Sequence, residues 1–420
     1  MTFLWGVSTS AFQIEGAAGR GPSVWDAFTA LPGKIKDGSD ASVATGHLTH
    51  YKEDVALLKE LGVGAYRFSV SWPRVLAPGG LDFYERLVDE LLAAGIKPVP
   101  TLYHWDTPLG LSWLERDTAY KLADYASTVG ERLADRVPMW ITINEPAEVT
   151  LLGHALGTHA PGQELMFDAL PVAHHLLLAH GLAVQALRAA GGANIGVAMS
   201  HTPVWAADDS GAAELYDTLM NWLFADPILA GRSPEGFEMD DLDVISAPLD
   251  WYGINYYNPT LVGAPVAEPL TSFAGVDLPP DLPFGIREIE GYPLTDFGWP
   301  VVPDGLREIL VTLKERYGDR LPPVYVTENG CSAGELDDQR RIDFLDGHLE
   351  ALRKARDESV DVRGYFVWSL MDNFEWAEGY TQRFGLVHVD FDTLVRTPRA
   401  SYHWLRERIS PTPQGRLQGS

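Results

Sequence analysis

The 420-residue chain has a single cysteine, Cys331. No intramolecular disulfide can form, and no cysteine pair is present to hold zinc or carry redox chemistry. Positive charge is also scarce, with 32 Lys and Arg against 58 Asp and Glu and a net charge of −26. A surface of that sign repels phosphate backbones and anionic lipid, so nucleic acid and membrane are poor partners. The opening "MTFLWGVSTSAF" runs straight into a strand-like segment with no basic leader, and no uninterrupted apolar run of membrane-spanning length is read from the sequence. A cytoplasmic location is therefore expected. No P-loop occurs, and no G-x-G-x-x-G follows the first strand-like run, which argues against a nucleotide-binding open sheet. Internal repeats and low-complexity tracts are missing too.

What the chain has is alternation. With 46% hydrophobic residues it can build one large core. Apolar, β-rich runs at 3–10, 64–72, 97–105, 139–146, 194–201, 250–257, 323–330 and 362–370 read as eight strands. Between them lie helix-period stretches such as "LDFYERLVDELLAAG" and "DGLREILVTLKERYG", several closed by a glycine suited to a helix C-cap. Eight strand–helix alternations predict a single parallel (β/α)8 barrel, the TIM-barrel architecture, over 1–410, followed by a flexible tail at 411–420. The Pro- and Gly-rich segment 261–300 reads as a long loop after the sixth strand.

Active sites of such barrels lie at the C-terminal ends of the strands. Those ends carry Gln13, Arg67, His104 with Trp105, Asn144 with Glu145, Asn255 with Tyr257, Glu328 with Asn329, and Trp368. Glu145, in "MWITINEPAEV", ends a strand buried on both faces, where a carboxylate is costly without a purpose, and Pro146 then stops the ladder. Glu328 would face it across the mouth. Two carboxyl groups over a cavity ringed by Trp, His, Asn and Gln suit glycosidic bond cleavage, in which one protonates the leaving oxygen and the other stabilises positive charge at the anomeric carbon.

The segments "FLWGVSTSAFQIEGA", "RFSVSWPR", "TLYHWD", "TINEP", "GINYY", "YVTENG" and "GYFVWSLMDNFEWAEGYTQRFGL" occur in this order. Together they closely resemble the signature segments of glycoside hydrolase family 1, the β-glucosidase family. The resemblance implies that Glu145 is the acid/base and Glu328 the nucleophile, with Arg67 and Tyr257 hydrogen-bonded to Glu328. It implies that Gln13, His104, Asn144 and Glu375 bind sugar hydroxyls and that Trp105, Trp368, Trp376 and Phe384 form apolar walls. Phospho-glycosidases of the family carry Ser at the Glu375 position, followed by Lys and Tyr; here Glu375, Gln382 and Phe384 stand there. Unphosphorylated substrates are implied.

The expected activity is that of a retaining exo-β-glycosidase on small β-glycosides or oligosaccharides, with glucosyl, fucosyl or galactosyl glycones and no metal or organic cofactor. Three other readings remain: a weakly catalytic sugar-binding relative, a transglycosidase, and a metal-dependent barrel hydrolase using His104 and Asp106. Several connections are shorter than the family pattern, including "WPRVLAPGGLDFY" and "HWDTPLGLSWLERD", and Ala147 follows "NEP" where a bulky side chain is common. These departures imply a wider aglycone side. Cys331 reads as a small buried filler, or as an oxidant-sensitive thiol if accessible.

Overall fold

The computed structural model describes residues 3–265 and 282–410; the expected tail at 411–420 lies outside them. Eight parallel strands close into a barrel: β1 (Leu4–Ser8), β2 (Ala65–Ser69), β3 (Lys97–Tyr103), β4 (Trp140–Asn144), β5 (Ile195–Ser200), β6 (Tyr252–Asn255), β7 (Val324–Asn329) and β8 (Val362–Trp368). Each strand pairs with the next in sequence, and β8 closes on β1 through the register from Leu4–Gly364 to Ser8–Trp368. All eight fall inside the runs expected from the sequence. They stop one to a few residues short because the chain leaves the extended region where the site begins.

The main helices that follow the strands in turn are α1 (His47–Leu61), α2 (Leu81–Ala93), α3 (Asp117–Leu133), α4 (Leu170–Ala189), α5 (Leu223–Ala230), α6 (Pro303–Tyr317), α7 (Gln339–Asp357) and α8 (Ala400–Ile409). In α2 the buried residues Phe83, Tyr84, Leu87, Val88 and Leu91 recur at three- and four-residue spacing and face the sheet. Gly62 closes α1 with φ +87°, a left-handed C-cap. The helical stretch Met166–Ala189 is long and apolar enough to cross a membrane, contrary to the reading of no such run, but 67% of its apolar window is buried inside the protein. Its hydrophobicity belongs to the packing of α4 between β4 and the neighbouring helices.

A small cluster including Ala65, Val99, Ile141, Ala198 and Phe366, one each from five strands, packs together below the mouth. The larger core holds the residues between sheet and helices. Segment 261–300 is more than a loop: Thr260–Gly263 pairs antiparallel with Gly285–Arg287 and parallel with Val204–Ala206 beside the mouth. The pairing is tertiary, so the short run in the sequence carried no signal of it.

The loop after β8 is fastened from beneath. The fully buried Arg399, beside the start of α8, donates to Asp372 through Nη1 and Nη2 at 2.9 and 2.8 Å and to the Gly385 carbonyl at 2.7 Å. Removing one partner of such a pair strands a buried charge. Arg399→Ala should lower unfolding stability by about 3–5 kcal/mol, read from the urea midpoint; a loss within about 0.5 kcal/mol, the range of ordinary surface changes, would contradict this.

Candidate active site

Every candidate site residue lies at the C-terminal end of the barrel or in the loops that follow. Two register shifts aim the carboxyl groups: one between Ile141 and Asn144 on β4 against β5, the other between Val326 and Glu328 on β7 against β6. A bulge turns the next side chain away from strict alternation. Glu145 then takes φ +46° and Trp105 φ +72°, left-handed conformations that are costly for non-glycine residues and cluster at functional sites. Gly330, directly after Asn329, is required by close approach, since a Cβ there would lie 1.7 Å from the Trp368 carbonyl oxygen.

The two carboxyl groups differ in what surrounds them. Glu328 accepts from Arg67 Nη1 at 2.5 Å on one oxygen and from the Tyr257 hydroxyl at 2.7 Å on the other. Burial and the neighbouring Glu328 charge push the Tyr257 hydroxyl well above its ordinary pKa, so it stays a neutral donor. Glu145 accepts only from amides: Asn255 Nδ2 at 2.8 Å and Asn144 Nδ2 at 3.2 Å. Burial, then the charges of Glu328 and Glu148, hold its carboxyl well above the usual Glu range. One group is equipped to carry negative charge and the other to keep a proton.

Asn144 joins the two halves. Its Oδ1 accepts from Arg67 Nη2 at 2.5 Å and Asn255 Nδ2 at 3.0 Å, while Nδ2 faces both Glu145 and His104 Nε2. Asn255, expected among the sugar-binding groups, gives its donors to Asn144 and Glu145 and accepts at Oδ1 from Thr327, so its visible work is to hold Glu145. Burial and the Arg67 charge keep the His104 ring neutral. With Nε2 accepting from Asn144, the hydrogen sits on Nδ1, which meets no protein acceptor among the described residues.

Gln13 donates to Asn373 Oδ1, the Phe374 carbonyl and Glu375, and accepts from Ser10, which fixes the loop presenting Glu375. Burial, then the charges of Glu328 and Glu378, raise the Glu375 carboxyl to about 8, so it can donate as well as accept. Trp376 packs against Trp105 at 4.5 Å between centroids, and Trp368 stacks on His104 at 5.9 Å, forming one wall. Phe384 faces Trp299 at 6.1 Å and Tyr257 at 6.3 Å on the other side. Sequence reasoning missed Trp299 and Phe297, which line the cavity from segment 261–300, and Glu148 on the acid/base side. "DFGWP" offered the only cue, aromatic residues in a Gly/Pro-rich loop.

Most of these groups line a cavity of about 250 Å³ open at the barrel mouth, with Gln13, Arg67 and Asn144 set behind its wall. His104 and Asp106 are not joined by a third donor: among the described residues no three His, Cys, Asp or Glu side chains are grouped to hold a metal ion. Cys331 is buried, its thiol raised to about 12 by burial, which fits the filler reading.

The profile of glycosyl hydrolase family 1 matches residues 1–412. The chain belongs to this family. It is 41% identical to β-glucosidase A of Acetivibrio thermocellus, with 97% of each chain covered. It is 40% identical to a bifunctional β-D-glucosidase/β-D-fucosidase of Bifidobacterium breve, again over 97% of each. The crystal structure of a psychrophilic β-glucosidase from Micrococcus antarcticus superposes with a TM-score of 0.90 at 42% identity, covering 96% of both chains. As a family 1 enzyme the chain is a glycoside hydrolase in which two carboxyl groups divide the chemistry.

If Glu145 is the proton donor, its raised carboxyl predicts the sign of the alkaline pH limb. Activity needing its proton is present below its pKa and lost as pH rises through it. For a 4-nitrophenyl β-glycoside, kcat/KM should fall on the alkaline side. For a dinitrophenyl glycoside, whose leaving group needs no proton, the same limb should flatten; identical limbs for both would remove Glu145 from proton donation.

Proposed function

We infer that this hydrolase is a retaining exo-β-glycosidase that releases terminal β-D-glucosyl residues from small glycosides and also accepts β-D-fucosides, with galactosides a weaker option. The observation that carries the reading is the division between Glu328, which takes hydrogen bonds from a guanidinium and a phenol, and Glu145, which takes them from amides only. Glu328 attacks the anomeric carbon as the leaving oxygen takes the Glu145 proton. Glu145, now a carboxylate, then removes a proton from the water that releases the sugar. The acidic surface favours neutral sugars over nucleic acid or anionic membranes. The single buried thiol is compatible with a cytoplasmic setting.

Glycone choice centres on Glu375. Gln382, where phospho-glycosidases carry a cation, gives its amide to Glu378 at 3.0 Å. This supports unphosphorylated sugars, whose hydroxyls Glu375 can bind in either direction.

Azide separates the two carboxyl roles. Glu145→Ala should lose about 10²–10⁴-fold on glycosides with poor leaving groups, keep forming the glycosyl-enzyme from dinitrophenyl glycosides, and regain turnover with azide as the β-glycosyl azide. Glu328→Ala should be inactive on all β-glycosides and yield the α-glycosyl azide. Exchanged products would exchange the roles.

Glu375→Ala should cost about 1.5–3 kcal/mol of transition-state binding, and more for 4-nitrophenyl glucoside than for the fucoside, which has no O6 hydroxyl to lose. Equal losses in kcat/KM for the two substrates would sink the assignment.

A further inference from the structure

Glu148 is a carboxyl group that the two-glutamate mechanism does not use. It lies one helical turn after Glu145, its N–H donating to the Glu145 carbonyl at 3.1 Å, and both side chains line the catalytic cavity. Its side-chain hydrogen bond comes from the Ser200 hydroxyl, 3.0 Å from Oε1, at the end of β5. Among the described residues it has no ion-pair partner.

Burial raises the Glu148 carboxyl from the ordinary Glu range while the Ser200 hydrogen bond lowers it. Glu145 is raised well above that range because the charges of Glu328 and Glu148 add to its burial, and no surrounding group supplies a cation. Arg67 faces Glu145 but is bound to Glu328 and Asn144. Lys36, on the rim, is paired with Glu378. The histidines that line the cavities touching Glu148 are His104, His154, His159 and His201, and burial lowers the pKa of each, so none is a cation at neutral pH. Tyr216 and Tyr257 are raised by burial and stay neutral. Glu328 and Glu375 complete the set, and both are acidic.

We propose that Glu148 is a positioning residue for the acid/base: its carboxyl, steadied by Ser200, acts across the shared cavity to keep the proton on Glu145 until the leaving oxygen takes it. This rests on the assignment of Glu145 made above. Two carboxyl groups in one poorly solvated cavity without a cation between them do not both ionise readily, and burial and the Glu148 charge act on Glu145 in the same direction. The effect outlasts the first half-reaction. When Glu328 forms its bond to the anomeric carbon and the aglycone leaves with the Glu145 proton, the Glu328 charge is consumed while Glu148 is unaltered. Glu145 thus remains a stronger base for the attacking water than Glu328 alone would leave it.

The test is the pH profile of kcat/KM for Glu148→Gln, which keeps the side chain's length and an oxygen for Ser200 but cannot carry charge. Removing a like charge lowers the Glu145 pKa, so the alkaline limb on 4-nitrophenyl β-glucoside should move to lower pH by about half a unit or more. With the dinitrophenyl glucoside, which needs no proton, the same substitution should produce no such shift of the limb. Glu148→Asp, which keeps the charge, should retain the wild-type limb, and Glu148→Met gives the same reading as Gln if the Gln variant does not accumulate. An unmoved limb in Glu148→Gln would overturn the proposal. So would an equal shift in Glu148→Asp, or a KM that varies with the aglycone while the limb stays fixed. Azide rescue of Glu145→Ala is read independently: if it holds and the limb does not move, only the role of Glu148 falls, whereas failed rescue removes the Glu145 assignment itself.

Discussion

The site depends on a shortage of positive charge. Several carboxyl groups converge on one cavity, and the one guanidinium bonded to any of them among the described residues, Arg67, is committed to Glu328 and Asn144. Burying an unpaired carboxylate is expensive, so Glu145, which has neither the cation nor a hydroxyl donor, is pushed toward keeping its proton. The two carboxyl groups are therefore distinguished by which of them the arginine reaches, and the reach is set by the barrel. Arg67 leaves β2 on the inner face and meets Glu328 from β7 across the mouth. Asn144 and Asn255 instead present their amides to Glu145.

Holding that arrangement requires local strain, and the rest of the fold supplies the rigidity. The left-handed residues Glu145 and Trp105 cost about 1–3 kcal/mol each and persist only where the surroundings over-determine them. Pro146, with no N–H to give, opens the short helical turn after β4, while Glu145 N still reaches the Ala198 carbonyl at 2.9 Å. The strand thus ends with its last donor satisfied and its carboxyl lifted into the cavity. Beneath the loop of Trp376 and Phe384, the Arg399–Asp372 pair anchors the chain to α8.

The legible parts of the sequence were those governed by short range. Eight apolar runs and the intervening helical periods reported the barrel because burial on both faces imposes near-continuous hydrophobicity on parallel strands. The motifs around Glu145 and Glu328 reported the chemistry because the same residues must stand at both strand ends. Asn255 was legible as a strand-end polar residue, but not as a support for Glu145, since that depends on Thr327 and Asn144 reaching it from adjacent strands. Trp299 and Phe297 lay in a segment whose strand Thr260–Gly263 pairs with Gly285–Arg287 and with the more distant Val204–Ala206, contacts that its composition does not announce. Glu148 drew no notice in the sequence, because nothing local says that the helical turn beyond Pro146 places it on the cavity.

The sequence by itself determined the closed eight-stranded frame, the placing of two carboxyl groups at its strand ends, and the absence of any intramolecular disulfide. These follow from the order and type of residues, which patterning and burial translate directly into strands and their ends. Tertiary structure alone decided which amides are spent on support and how many further carboxyls share the cavity. Those outcomes turn on two register shifts of the strands and on side chains brought together from positions far apart in the chain. A one-residue change in pairing reverses where a side chain points, and no local pattern records it.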